Sequence, residues 1–263
     1  MSQGAGISTY LDSLRVDSTL QMFEYATNKF VPKNEGGLTL GKAFAKDSSG
    51  EIGRLYYFAA YEALTGRPCD KVIDELTKRE RFYLALDTAI KFLPSPLPSI
   101  GDSSAPIKVV AFVSGTCPVC KRTCSALYDA ITGGNLRGKV FMTLKPAGQS
   151  DADPAMIAAA GLGDFWDYFT AWQAVHGEVD HKKILKVAAE IGFDKDQFEE
   201  LMTTDSIRTI AADSRREALR DGMEYTPSIF INGRRYDSSS RVGWVIDAID
   251  WEFSRISALS KKK

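Results

Sequence analysis

The chain has 263 residues, 44% of them apolar and 25% charged, with 33 Lys and Arg against 34 Asp and Glu. That length can bury a core without staples, and a net charge of −1 argues against a dedicated nucleic-acid surface, which normally carries a basic excess. No run approaches the roughly 20 apolar residues that span a bilayer, and the opening MSQGAGISTY lacks the charged and apolar parts of a secretory signal. The sequence alone leaves two readings of this start, a cytosolic protein or an exported one whose signal has been removed.

Residues 1–93 read as a helical region. STLQMFEYATNKF places Leu20, Phe23 and Phe30 on one face, GEIGRLYYFAAYEALTG is a buried helix closed by Gly66, and CDKVIDELTKRERFYLALDTAIKF predicts a third helix running through to Phe92. LPSPLPSIGDSSAP is rich in Pro and Ser and cannot continue a helix, so 94–106 is taken as a connector.

The periodicity then changes. IKVVAFV is a continuous apolar, β-branched run suited to a strand buried on both faces. CPVCKRTCSALYDAITGG predicts a helix stopped by Gly133 and Gly134, and KVFMTLKP a second strand. From about 152 to 222 the pattern is helical, in segments marked by polar caps and terminal glycines. TPSIFINGRRYDSS reads as a strand, an Asn-Gly turn and a second strand, and SRVGWVIDAIDWEFSRI as a closing helix. A β-α-β unit, a helical block and a β-β-α unit therefore share one α/β domain over 107–258.

Three of the four cysteines fall at Cys117, Cys120 and Cys124. A structural zinc site normally takes four nitrogen or sulfur ligands. The further candidates are distant Cys69 and the pair His176 and His181, whose spacing around a glycine suits a surface loop better than a metal. Cys124 lies one turn beyond Cys120 in register with Leu127 and Ile131, on the buried helical face. The expectation is no metal and no cofactor. A redox reading explains the placement better. Cys117 stands where a buried strand hands over to a helix, and unpaired N–H groups with the helix dipole favour a thiolate there. Pro118 suits the first helical turn, and Cys120 is three residues along, within reach of a disulfide. Thr226-Pro227 opens a core strand, an odd place for proline. A cis bond there would turn the chain and offer the Thr226 backbone as an edge for an extended peptide. Phe165, Trp166, Phe169 and Trp172 read as core of the helical block.

Together Cys117-Pro118-Val119-Cys120, the strand before it, the helical block with GDFWDYFTAW and IGFDKDQFEELM, and Thr226-Pro227 resemble the DsbA family of thiol oxidases over roughly 100–258. The resemblance implies a thioredoxin fold with an inserted helical subdomain at about 152–222, preceded by the N-terminal helical region. It implies that Cys117 attacks, that Cys120 resolves, and that the Thr226-Pro227 loop holds the substrate beside Pro118 and Val119. It also implies client proteins with thiols or disulfides, a redox partner that resets the centre, and a periplasmic or otherwise extracytoplasmic location, with the cytoplasm as the alternative.

Two positions depart from that family. Val119 stands where well-known members have a thiolate-stabilising His, and Ala111 where members often carry a buried carboxylate. Both losses are expected to raise the Cys117 pKa and weaken the disulfide as an oxidant. Two rival readings follow: a disulfide isomerase or reductase that forms a homo-oligomer through residues 1–93, and a binding or chaperone module whose redox site is inactive.

Overall fold

The computed structural model describes residues 18–261 apart from 176 and 178, and divides the chain into two compact units, Met1–Leu86 and Asp87–Lys263. His176 therefore lies outside the described residues.

The first unit is helical. Residues 18–29 form α1 in its described part, followed by α2 (Leu40–Lys46), α3 (Gly50–Leu64) and α4 (Cys69–Tyr83). The expected apolar face of α1 is only partly used: Ala26, Thr27 and Phe30 are buried, whereas Leu20 is exposed, as is Leu64 on α3. Helix α4 ends well before Phe92. Ala85 adopts φ 53°, and the N–H groups of Ala85 and Leu86 bond back to the carbonyls of Phe82 and Arg81 at 3.1 and 3.2 Å. This is a Schellman stop with alanine in the left-handed position where glycine is usual. The absence of that glycine is why apolar spacing alone carried the predicted helix too far.

The second unit is built on a sheet. Its strands are β1 (Ile100–Gly101), β2 (Ile107–Val113), β3 (Val140–Pro146), β4 (Ser228–Ile231) and β5 (Arg234–Tyr236), in the spatial order β1-β3-β2-β4-β5. β2 and β3 are parallel, joined by α5 (Pro118–Thr132), and the other pairings are antiparallel. The apolar run of β2 follows from its central place, and the β4–β5 turn takes positive φ at Asn232 (49°) and Gly233 (77°), as a tight hairpin requires. A side chain at Gly233 would lie 2.5 Å from the Ile90 carbonyl, whose N–H bonds the Gly233 carbonyl at 2.8 Å.

Residues 93–101 run along β3 and are tied to it. Ser95 Oγ donates to the Leu144 carbonyl (2.5 Å), Ser99 and Thr143 share a hydroxyl bond (2.7 Å), and β1 pairs with β3. Lys145 is buried and bonds the Leu93 carbonyl (2.8 Å) and the buried Glu217 carboxylate, which also accepts the Leu93 N–H (2.7 Å). Removing one member of such a pair typically destabilises by about 3–5 kcal/mol, because the other is left buried and unanswered. Phe92, Phe112 and Phe230 meet edge to face at 4.9–5.9 Å in the adjoining core.

Between β3 and β4 lies the inserted helical block: α6 (Ala152–Gly161), α7 (Phe165–Gln173), α8 (His181–Glu190), α9 (Lys195–Thr203) and α10 (Asp205–Arg220). Asp180, Asp194 and Thr204 cap α8, α9 and α10 by accepting from the Lys183, Gln197 and Ile207 N–H groups. Phe165, Phe169 and Trp172 are buried within the block together with Tyr168, while Trp166 packs on Tyr128 of α5 at 4.9 Å. α11 (Val242–Ser260) closes the unit. The result is a mixed α/β thioredoxin-type fold with its helical insertion.

Candidate functional site

Sheet register brings the two parts of the site together. Phe112 near the end of β2 stands opposite Ser228, the first residue of β4, in an antiparallel pair. The chain leaving β2 and the chain entering β4 therefore meet at one end of the sheet. The first carries Cys117 and the second Thr226-Pro227, a cis peptide bond.

Cys117 is the N-cap of α5, with extended φ −82° and ψ 113°, and Pro118 follows in the first turn. Its half-buried sulfur accepts the Cys120 N–H at 3.2 Å, and its thiol donates to the Thr226 carbonyl at 3.2 Å. The Cys117 pKa falls from 9.0 to about 5. The first cause is a hydrogen bond from the Cys120 thiol. Partial burial opposes it, and the Cys120 N–H, the Thr226 side chain and the Val119 N–H add to the lowering. The His that family resemblance led one to look for at 119 is absent, yet the backbone at that position still serves the sulfur. Sequence reasoning weighed only the Val119 side chain and missed this donor.

Cys120 is 3% exposed and Cys124 is fully buried. Burial, then the hydrogen bond to Cys117, drives the Cys120 pKa far up, and burial raises that of Cys124 to about 12. All four cysteines are free thiols, Cys69 among them at a half-buried position. Pro118 is exposed, Val119 and Thr226 are half-buried, and Pro227 is buried.

The loop before Cys117 is clamped by the insertion, a contact that the sequence reading missed. Trp172 Nε1 donates to the Gly115 carbonyl at 2.7 Å in a buried bond. The Gly115 N–H serves the buried Asp153 carboxylate, which also takes the Gly148 N–H at 2.9 Å and the Ser150 hydroxyl at 3.3 Å. Burial raises the Asp153 pKa against these bonds. The glycines were the available hint. A side chain at Gly115 would lie 2.5 Å from Ala152 Cβ, and one at Gly148 would lie 2.2 Å from Asp153 Oδ2.

Lys121, one residue beyond Cys120, turns towards the insertion. Its ammonium bonds the Val175 carbonyl at 2.8 Å and stands 4.6 Å from the Trp172 ring centre. His181 opens α8 instead of lying in a loop. It pairs with Glu199 at 2.7 Å and Asp151 at 3.6 Å, and the Glu199 hydrogen bond leads the causes that raise its pKa. Among the described residues no group of three or more His, Cys, Asp or Glu is placed to hold a metal ion, and no helix is long and apolar enough to cross a membrane.

Solved structures share this fold. A thioredoxin-like oxidoreductase from Silicibacter pomeroyi DSS-3 is 22% identical with a TM-score of 0.52, covering 60% of this chain and 92% of that one. BdbD from Bacillus subtilis is 17% identical with a TM-score of 0.53, covering 64% and 100%. The thiol-disulfide exchange protein alpha-DsbA2 from Wolbachia pipientis is 18% identical with a TM-score of 0.51, covering 67% and 93%. A curated relative, Na(+)/H(+) antiporter NhaA 1 of Salinispora arenicola, is 26% identical over 159 residues, which are 59% of this chain. The match spans only 24% of that protein's own length. A thioredoxin family model matches residues 96–250. That span is more than half of the chain and contains the cysteine helix, the insertion and the cis-proline strand, so the chain belongs to the thioredoxin family.

Proposed function

We propose that the protein is a thiol–disulfide oxidoreductase acting on client proteins, as an oxidase of DsbA type. Cys117 is the attacking and Cys120 the resolving sulfur, and Pro118, Val119, Thr226 and Pro227 border the bound substrate. The observation that carries this reading is the Cys117 sulfur at a helix tip beside Thr226, with its pKa near 5 and the Cys120 N–H donating to it at 3.2 Å. At neutral pH such a group is a thiolate, the species that enters disulfide exchange.

A client thiolate attacks Cys117 of the Cys117–Cys120 disulfide, and Cys120 leaves with the electron pair; it is then protonated, and its raised pKa keeps that proton on the sulfur. A second client thiolate then attacks the client sulfur of the mixed disulfide and expels Cys117 as a thiolate. The client is oxidised by two electrons, the cysteine pair is reduced, and a disulfide-bearing partner must take those electrons to reset it. Stabilising the reduced Cys117 as a thiolate makes the disulfide more oxidising, which favours the oxidase direction over isomerisation or reduction.

Reactive cysteines at helix N-termini span about 3.5–7.5 in pKa, and potentials in this fold run from about −270 to about −120 mV. A Cys117 near 5 supports a potential inside that interval. Glutathione equilibration measures it directly; a value more oxidising than about −120 mV would refute the placement. The activity itself is tested by oxidation of a dithiol peptide and by reduction of insulin. Failure of the wild-type protein in both, with client protection unchanged in Cys117→Ser, would establish the redox-inactive binding module instead.

A further inference from the structure

A cleft of about 520 Å³ opens beside the cysteine centre, within the roughly 300–1,000 Å³ typical of ligand sites. Thr116, next to Cys117, and Thr226, whose carbonyl bonds the Cys117 thiol, both line it. Its other boundaries include the Gly148–Ser150 turn that Asp153 holds in place, and Arg215 of α10.

Arg215 is the unbalanced charge of this cleft. Its Nη1 donates to the Ala147 carbonyl at 2.6 Å. The side-chain oxygen of Gln149, in the amide orientation that satisfies both groups, accepts from Nε at 3.2 Å and Nη2 at 3.1 Å. These partners are neutral, and no carboxylate pairs with Arg215 among the described residues. Two of its five N–H donors remain unused. The acidic residue on the cleft wall, Glu224, is already answered by Arg235 at 3.4 Å. The guanidinium is half-buried and held on its inner side, so its planar fork is oriented before any ligand arrives.

We infer that this cleft is a carboxylate-selecting subsite: Arg215 receives an Asp or Glu side chain of the client polypeptide close to its reacting cysteine. The inference rests on the thiol–disulfide exchange proposed above and names the clients that exchange prefers. An extended residue spans about 3.3–3.6 Å, so the two positions on either side of the cysteine carry a client strand about 7 Å each way from the reacting sulfur, along the cleft that Thr226 and Arg215 both line. A basic residue at the same position meets an uncompensated positive charge and is disfavoured.

The test uses end-blocked peptides with one cysteine and either Glu or Lys at each of those four positions in turn. Mixed-disulfide formation with the oxidised wild-type protein is expected to be about fivefold faster for Glu than for Lys at one or more positions, the scale of a half-exposed charge pair. Arg215→Glu should invert that order, Arg215→Gln abolish it and Arg215→Lys retain it. The lysine variant guards against misreading a fold lost with the other two. Equal rates at all four positions, or a preference unchanged by Arg215→Glu, overturn the inference.

A second arm needs no redox chemistry. The same peptides with Ser in place of Cys are titrated against the Cys117→Ser protein by fluorescence anisotropy, and the same order of affinities is expected. Arg215-dependent binding without exchange in the first arm leaves the subsite standing and removes the redox reading. Exchange without any charge preference in either arm does the reverse.

Discussion

One helix carries two chemically opposite thiols a single turn apart. At its tip, Cys117 is half-buried, is served by the N–H groups of Cys120 and Val119, and has a pKa near 5. One and two turns in, Cys120 and Cys124 have spent their backbone N–H groups on Cys117 or within the helix, are buried, and are held protonated. The same functional group becomes a thiolate or stays a protonated thiol according to whether unpaired N–H donors or hydrocarbon surrounds it. Tip and interior also depend on each other, because the Cys120 thiol is the leading cause of the low Cys117 pKa.

The most severe way to break this contrast is at the tip. Cys117→Ser is expected to reduce peptide oxidation and insulin reduction to the uncatalysed background, while Cys120→Ser accumulates a mixed disulfide at Cys117, visible by mass spectrometry. Next in size, Cys120→Ala removes the leading donor to the sulfur. The Cys117 titration, followed by thiolate absorbance, should move upward from about 5 towards 9.0, with the remaining backbone donors holding part of the shift.

The low pKa has a stability consequence whose sign can be stated. Between about 5 and 9 the folded reduced protein carries a thiolate where the unfolded chain carries a thiol, so the unfolded state binds more protons. The reduced form should therefore gain stability relative to the oxidised form as pH rises through that window, and lose it as pH falls through 5. Cys120 stays protonated in the fold and opposes the trend only above 9. Urea denaturation of both redox forms at several pH values measures the difference.

Trp172→Phe probes the clamp behind the tip. It leaves the buried Gly115 carbonyl without its donor, an expected loss of about 1–3 kcal/mol in urea denaturation, with a shifted Cys117 titration if the loop moves. Cys124→Ala is the smallest change, at about 1 kcal/mol of stability for a small cavity in the helix interior. Its exchange rate should match the wild type, and a large loss of activity would show that Cys124 acts on the tip as Cys120 does.

Much of this was written in local pattern. The β2 run, the cysteine helix with its Gly133 stop, the Asn232-Gly233 turn and the polar caps at Asp180 and Asp194 each depend on residues within a few positions, so spacing revealed them. The early end of α4 escaped because alanine, not glycine, takes the left-handed stop. Leu20 escaped because periodicity says which residues share a face and not whether anything covers it.

The sequence by itself determined which thiol stands at a helix start, which proline opens a strand, and that a helical block separates them. Only the tertiary structure decided that Thr226 meets Cys117, that Trp172 and Asp153 hold Gly115, and that Lys145 is paired with Glu217. Those contacts join residues far apart in the chain, and their strength comes from desolvation. A hydrogen bond or charge acquires its weight only where folding has removed water around it, and no stretch of sequence shows where that is.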